Sequence, residues 1–324
     1  MTRLVRVEIL RLFSRRLVRI VGALALLLVA VIVAIDGANH TNDNAAEFAR
    51  FNQQRLAGYE QARASFEDEQ RAGRIPPDAT FPTRAEVQAD PQQCFPDPTT
   101  AEPFDCSPPK QPYAITVKLP DFGRAVAVIC MILAFLIGAS AAGAEWAAGT
   151  MQSLLYWEPR RVRVVFAKVL GLVVAAATAV VLAEALFTVA ALIAAQTRGT
   201  TTGLTSDLWV SQALLVLRGI GGAAFAAILG FSIAFAARLT AAAVAVGFVY
   251  FAVLEQLVVA WKLWLGRYLI GPLLGGWLNW GFKVETGAGQ PLTVSGQRAG
   301  ATLALYAAAI LAAATVWFRR RDVT

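Results

Sequence analysis

Residues 126–150 read VAVICMILAFLIGASAAGAEWAAGT. The first part of this stretch, Val126 to Ala144, carries no charge, and Glu145 ends it. A helix of that length, at ~1.5 Å per residue, matches the ~30 Å hydrocarbon core of a bilayer. The stretch therefore reads as a membrane span that stops at a carboxylate. Similar runs lie on both sides: Leu17 to Ile35, Val162 to Ala195, Leu208 to Ala237, Leu239 to Trp261 and Ala299 to Phe318. Arg238 is the only charge between the fourth and fifth runs, which predicts a tight turn. Leu263 to Trp280 is apolar too, but Gly266, Gly271, Pro272, Gly275 and Gly276 interrupt it. It predicts two re-entrant half-helices dipping into the outer leaflet, not a seventh span. The fold class is an all-α integral membrane protein with six transmembrane helices.

Composition agrees. The chain has 324 residues, 57% hydrophobic and 16% charged, with mean hydropathy +0.54. Soluble domains carry about 25% charged residues. The formal charge of +7 hides a split. From Asp36 to Asp121 there are 8 basic and 14 acidic residues, net −6, and the rest carries net +13. An acidic insert in a basic, apolar frame argues against nucleic-acid binding, which gathers basic residues into one solvated patch. Disorder is excluded by the hydrophobicity.

Six spans put both ends on one side, and positive charge selects the cytoplasmic one. Arg3, Arg6, Arg11, Arg15, Arg16 and Arg19 precede or enter the first span. Arg160, Arg161, Arg163 and Lys168 follow the second, and Arg319, Arg320 and Arg321 follow the last. Trp146, Trp157 and Trp317 then fall at inner boundaries, and Trp209, Trp261, Trp264, Trp277 and Trp280 at outer ones, as interfacial belts prefer. The organisation is an interfacial helix over 1–16 and spans over 17–35, 122–144, 162–195, 208–237, 239–261 and 299–318. A loop over 145–161 and a tail over 319–324 are cytoplasmic. An insert over 36–121, a loop over 196–207 and the re-entrant region over 262–298 are outside. The apolar stretch before Asp36 is longer than a signal peptide's and lacks a clean cleavage site, so it reads as a retained anchor. In the first segment Glu8, Arg11, Arg15 and Arg19 share one helical face, while Val5, Ile9, Leu12 and Phe13 cover another. This pattern suits a helix lying on anionic lipid.

In the insert, residues 43–72 predict a helix with Phe48, Phe51, Leu56, Tyr59 and Phe66 on one face. Eleven of the 14 prolines lie between Pro76 and Pro120, which disfavours helix and central strand there. Cys94 and Cys106 are the only cysteines outside the spans, and an oxidising outer compartment predicts a disulfide between them. Cys130 reads as a packed apolar residue of the second span. The insert suits a lid, a docking site or a spacer equally.

No catalytic constellation is visible. The one histidine, His40, reads as a solvated residue at the mouth of the first span. There is no metal-ligand cluster and no G-x-x-x-x-G-K-[ST] phosphate loop. Val294 to Arg298, VSGQR, matches a fragment of the ATPase signature loop by chance. Glu184, Arg218 and Glu255 sit within the third, fourth and fifth spans, away from their cytoplasmic ends. Intramembrane charges are costly and pair with one another or face a bundle interior. All three fall in the outer half by residue count, and one arginine can neutralise one or both carboxylates. The reading adopted is an Arg218–Glu184 pair, with Glu255 apart from it.

After the second span the chain runs Glu145-Trp146-Ala147-Ala148-Gly149-Thr150, then Met151 to Trp157, then Glu158-Pro159-Arg160-Arg161. This predicts a helix, a turn at Gly149, a short helix capped by Thr150, and a new helix begun near Pro159. Met151, Leu154 and Leu155 form an apolar surface facing the cytoplasm, which needs a partner. E-x-x-x-G-T after the second of six spans, followed by a short helix and a basic stretch, resembles the permease subunits of ABC-2 type ABC exporters. The basic N-terminal segment and the glycine-broken region before the last span agree with that family, and the likeness covers the chain by topology. The resemblance implies that Glu145, Gly149, Thr150, Met151, Leu154, Leu155 and Trp157, with Arg160 and Arg161, form the element coupled to a separate ATPase. It implies two ATPase subunits, a second permease copy, and no cofactor in this chain, with ATP and Mg²⁺ held by the partner. It also implies that the span with Glu255 lines the pathway. The outer loop departs from the simplest members by its length. The expected cargo is a drug-like, peptide or lipid-type amphiphile, and the expected location is a bacterial plasma membrane in contact with lipid. The competing reading is a membrane-anchored sensor, signalling or assembly protein that uses the insert.

Overall fold

The computed structural model of the chain describes residues 2–14, 16–40, 45–76, 78–89, 113–157, 160–201, 204–284 and 292–320. Among these, six helices are long and apolar enough to cross a membrane. Two compact units divide the chain: Met1–Val33, Thr116–Ala191 and Gly203–Thr324 form one, Ala34–Ile115 and Leu192–Thr202 the other.

In chain order the helices are α1 (Thr2–Ser14), α2 (Arg16–Ala38), α3 (Ala45–Arg71), α4 (Arg84–Ala89), α5 (Ile115–Ala147), α6 (Thr150–Trp157) and α7 (Arg161–Arg198). They continue with α8 (Ser206–Ala237), α9 (Thr240–Val249), α10 (Glu255–Trp261), α11 (Ile270–Leu278) and α12 (Gly296–Arg320). The strands are β1 (Tyr113–Ala114), β2 (Gly199–Thr200), β3 (Gly281–Val284) and β4 (Leu292–Ser295).

In the first unit, α5, α7 and α8 are the inner helices. Half or more of their apolar windows is buried, against less than a fifth for α2, the α9–α10 span and α12. Small residues let the inner helices touch. A side chain at Gly138 of α5 would strike the Ala227 carbonyl of α8, and one at Gly230 of α8 would strike the Phe135 carbonyl of α5. Backbone-to-backbone approach of this kind is how membrane helices gain packing where lipid is as apolar as the side chains. The turn after α8 is tight: Arg238 adopts left-handed φ 60° and Leu239, extended, immediately precedes α9. Between α9 and α10, Tyr250–Leu254 forms a π-turn, in which the Glu255 N–H reaches the Tyr250 carbonyl.

The broken apolar stretch differs from two half-helices. Leu263–Tyr268 is a 3₁₀ segment, α11 is one short α-helix, and an antiparallel β3–β4 hairpin follows. Its entry needs positive φ at Trp280 (56°) and Gly281 (153°), a turn signal hidden among aromatics. Phe225, Leu229, Leu273, Val294, Ala299 and Leu303 form a buried cluster that joins α8, α11, β4 and α12.

In the second unit, α3 packs on the segment around α4. The Tyr59 hydroxyl donates to the Pro82 carbonyl at 3.0 Å, and Phe81 lies between the rings of Tyr59 and Phe66 at 5.7 and 5.2 Å. Proline density does not keep this region free of helix. Thr83 and Glu86 form a reciprocal capping box, with the Thr83 N–H donating to Glu86 at 2.7 Å and the Glu86 N–H to the Thr83 hydroxyl at 3.3 Å. That box starts α4. Hydrogen bonds from Thr83 hold the Glu86 carboxyl below its ordinary pKa. Pro120 lies inside α5, which begins at Ile115, before the predicted start. The loop after α7 contains β2, paired in parallel with β1. His40 is not simply solvated: it is half-buried, its Nδ1–H donates to the Asp36 carbonyl at 2.7 Å, and its ring meets Tyr113 edge-on. Burial, reinforced by Asp36, pushes the Tyr113 phenol up to about 12. Cys94 and Cys106, with their expected disulfide, lie outside the described residues. Cys130 is buried in α5, as its apolar surroundings predict.

Candidate functional site

The site is built where α5 ends. Gly149 takes φ 67°, a left-handed conformation open to glycine at little cost, and its N–H closes on the Trp146 carbonyl at 3.2 Å. The chain turns there and α6 begins at Thr150. Thr150 is the first residue of α6 and not its cap. Its hydroxyl donates back to the Glu145 carbonyl at 3.4 Å, bracing the turn.

Glu145 faces α1 and α7. It is 5% exposed, Lys168 is 4% and Glu8 is 6%. The Lys168 ammonium lies 2.7 Å from Glu145 and 3.1 Å from Glu8. Arg11, at the rim, stands 3.7 Å from Glu8 and 3.9 Å from Glu145. Among the described residues two cations face two carboxylates, and such pairing is what allows charges to be buried. Gly171, one turn along α7 from Lys168, lets α1 come close, since a Cβ there would sit 3.3 Å from Glu8. Glu8 therefore points inward, and the face shared with Arg11 is not wholly a lipid face. The first segment docks on the bundle through Glu8 and the buried Leu12.

Trp146, the next residue, faces the other flank. Its ring packs 6.0 Å from Phe235 of α8 and 6.1 Å from Phe318 of α12. The Arg238 guanidinium lies 4.5 Å from the Trp146 ring centre. Arg161 covers Phe318 at 5.4 Å and donates to its carbonyl at 3.0 Å, a cation at the carbonyl end of α12. Adjacent residues thus tie the end of α5 to α1 and α7 on one side, and to α8 and α12 on the other.

Of the apolar surface expected on α6, Met151 and Leu154 are described, and Met151 turns inward. Met151 is fully buried, Leu154 is half-buried, and Tyr156 is 89% exposed. Met151 therefore anchors α6, and Tyr156 is a prominent outward group among its described side chains. The side chains of Leu155 and Trp157 lie outside the described residues. Arg160 is exposed at the start of α7.

The three intramembrane charges do not pair with one another. Glu184 is buried and accepts a hydrogen bond from Gln212 at 3.2 Å. Arg218 instead stacks on Trp280 at 4.7 Å, while its carbonyl accepts from the Trp277 indole at 2.8 Å. Gln212 and Arg218 are six residues apart, about 120° around a helix of 3.6 residues per turn. When Gln212 faces Glu184, Arg218 is turned away. Glu255 is buried with its carboxylate against Gly271 at the start of α11, where any side chain at 271 would collide with it. The neighbouring Ile270 N–H donates to the Tyr250 hydroxyl at 3.0 Å. Two residues of the fifth span thus cap a short helix, whose first N–H groups favour an anion.

Sequence reading missed Glu8 as a partner of Lys168, Gln212 as the partner of Glu184, and the caps on α11. One signal was available: Glu8 is the only acid among the arginines of the first nineteen residues. Comparison with known proteins adds one finding. The family model described as ABC-2 family transporter protein matches residues 8–323. No curated protein and no solved structure gives a match.

Proposed function

The chain belongs to the ABC-2 transporter family, and we propose that it is the permease half of an exporter driven by two separate ATPase subunits. The family makes it a multi-pass membrane subunit of an ABC transporter. In our reading, α6 docks in a cleft of the ATPase, with Tyr156 as its leading contact and Arg160 and Arg161 beside it. ATP and Mg²⁺ bind the partner, and no chemistry occurs in this chain. Two copies form the pathway. Positive charge at the Glu145 end puts that end in the bacterial cytoplasm and the α3–α4 insert outside. The cargo is an amphiphile of drug, peptide or lipid type, because the spans offer few polar groups.

The observation that carries this reading is the bracing at residues 145 and 146. A push on α6 has a stiff attachment to α1 and α7 through Glu145, and to α8 and α12 through Trp146. The test is reconstitution of the full chain with its ATPase in vesicles. We expect the pair to co-purify, ATP hydrolysis to respond to cargo, and a cysteine placed by Tyr156→Cys to cross-link to the ATPase. Tyr156→Asp should weaken association by about 2 kcal/mol, roughly 30-fold in Kd. Association unchanged by that variant, or absent with the folded chain, would overturn the docking role.

A further inference from the structure

We propose that the seam between α2 and α5 holds one anionic phospholipid, with its phosphate at Arg11 and Arg16 and an acyl chain in the apolar cavity beyond. Two cavities carry this. One, of about 530 Å³, opens at the Glu145 end and is lined by Arg11, Arg16, Ser140, Glu145 and Thr150 among others. The second, of about 340 Å³, is lined by apolar groups including Gly22, Leu26, Ala134, Ile137 and Ala176, with Arg19 as the one charge among its described residues.

The linings succeed each other along both helices. Arg16 of the polar cleft and Arg19 of the apolar cavity are three residues apart on α2, and Ser140 and Ile137 are three apart on α5. Three residues are about 4.5 Å of helix. The polar mouth therefore lies next to the apolar space along both helices, the order of an amphiphile with a charged head. At about 340 Å³ the apolar cavity has room for part of one acyl chain. Arg19 turns back toward the mouth, its guanidinium donating to the Ser14 carbonyl at 3.4 Å.

Charge selects an anion. Among the described residues Arg11, Arg16 and Arg19 line the two spaces; Arg11 is shared with Glu8 and Glu145, and Glu145 is paired with Lys168, so Arg16 and Arg19 carry the surplus positive charge. Guanidinium groups bind phosphate oxygens through paired N–H donors. Little of α2 is covered by protein, so lipid of the leaflet against which α1 lies has access to the seam. A bound phosphate also competes with Glu8 and Glu145 for Arg11, which places this ligand beside the ion cluster that braces α5.

The test uses the full chain purified from vesicles of equal phosphatidylglycerol and phosphatidylcholine, with retained lipid counted by native mass spectrometry. We expect one phosphatidylglycerol per chain, retained several-fold over phosphatidylcholine. Arg16→Gln together with Arg19→Gln should bring the retained ratio down to that of the vesicle, while Arg16→Lys keeps most of the preference. Gly22→Leu fills the cavity, since nothing lies within 4 Å of a Cβ there, and should lower retention of both lipids. Equal retention of the two lipids by the native chain would overturn the proposal. So would a preference unmoved by the arginine variants, or retention unmoved by Gly22→Leu. Displacement of the lipid by millimolar inorganic phosphate would show a bare anion site and overturn the acyl-chain assignment.

Discussion

Lys168→Met should be among the most damaging single changes at the Glu145 end. Lys168 is the shared cation of two carboxylates that are 5–6% exposed. Arg11, the other described cation beside Glu8 and Glu145, stands farther off at 3.7 and 3.9 Å, with its own side chain 41% exposed. Breaking a buried pair by removing one partner costs about 3–5 kcal/mol, because the remaining charge stays buried. Arg11 offsets part of this, so about 3 kcal/mol is expected, more than 100-fold in the unfolding equilibrium at ~1.4 kcal/mol per decade. Glu145→Gln in the Lys168→Met background removes the stranded charge and should restore at least half of the loss, a coupling of ~1.5–3 kcal/mol. Glu145→Gln alone leaves Lys168 with Glu8 and should be milder. The assay is a denaturant titration of the native chain and the three variants in mixed micelles, read by tryptophan fluorescence. A Lys168→Met cost below about 1 kcal/mol, or a double variant as unstable as the sum of the singles, would refute the energetic role given to this cluster.

Two further outcomes are expected. Gly138→Leu forces a side chain into the Ala227 carbonyl across the α5–α8 crossing and should lower stability by ~1–3 kcal/mol or more, whereas Gly22→Leu should be tolerated; equal thermal midpoints for the two would contradict the crossing. The capping box of α4 should respond to acid. The Glu86 carboxyl has a lowered pKa in the folded state, so its contribution is complete above the ordinary glutamate value near ~4.3 and is lost as pH falls through the lowered one. Amide exchange over residues 83–89 should accelerate in that window, and Glu86→Ala should abolish the pH dependence. Protection that rises on acidification would reverse the sign and refute the cap.

Much of the architecture was legible because hydropathy reports span length and depth. The six spans, the turn at Arg238 and the helix of the insert all follow from that. Azimuth and long-range pairing are harder. Glu184 and Arg218 sit at similar depths in the sequence, but only packing decides that Gln212 faces Glu184 while Arg218 turns to Trp280. Glu8 and Lys168 are separated by 160 positions, and no local pattern links them. Hairpin β3–β4 was hidden because its strands are short and its apolar residues continue the pattern of the preceding helix. The turn at Gly149 was legible, since a glycine between two helical runs has a specific conformational use, whereas the inward rotation of Met151 was not.

The π-turn at Tyr250–Leu254 has a consequence for how this chain tolerates insertions and deletions. A wide turn stores one extra residue, so everything after it is rotated by about 100° relative to an uninterrupted helix. That rotation, more than the identity of any neighbour, aims the Glu255 carboxylate at the backbone of Gly271. The register of the fifth span is therefore a specification in its own right. Deleting one residue within 251–254 would let the turn close as ordinary α-helix and keep Glu255 in its quadrant, whereas a deletion in the regular turns of α9 would swing Glu255 by about 100° and uncap α11. The fifth span is read by phase as well as by letter.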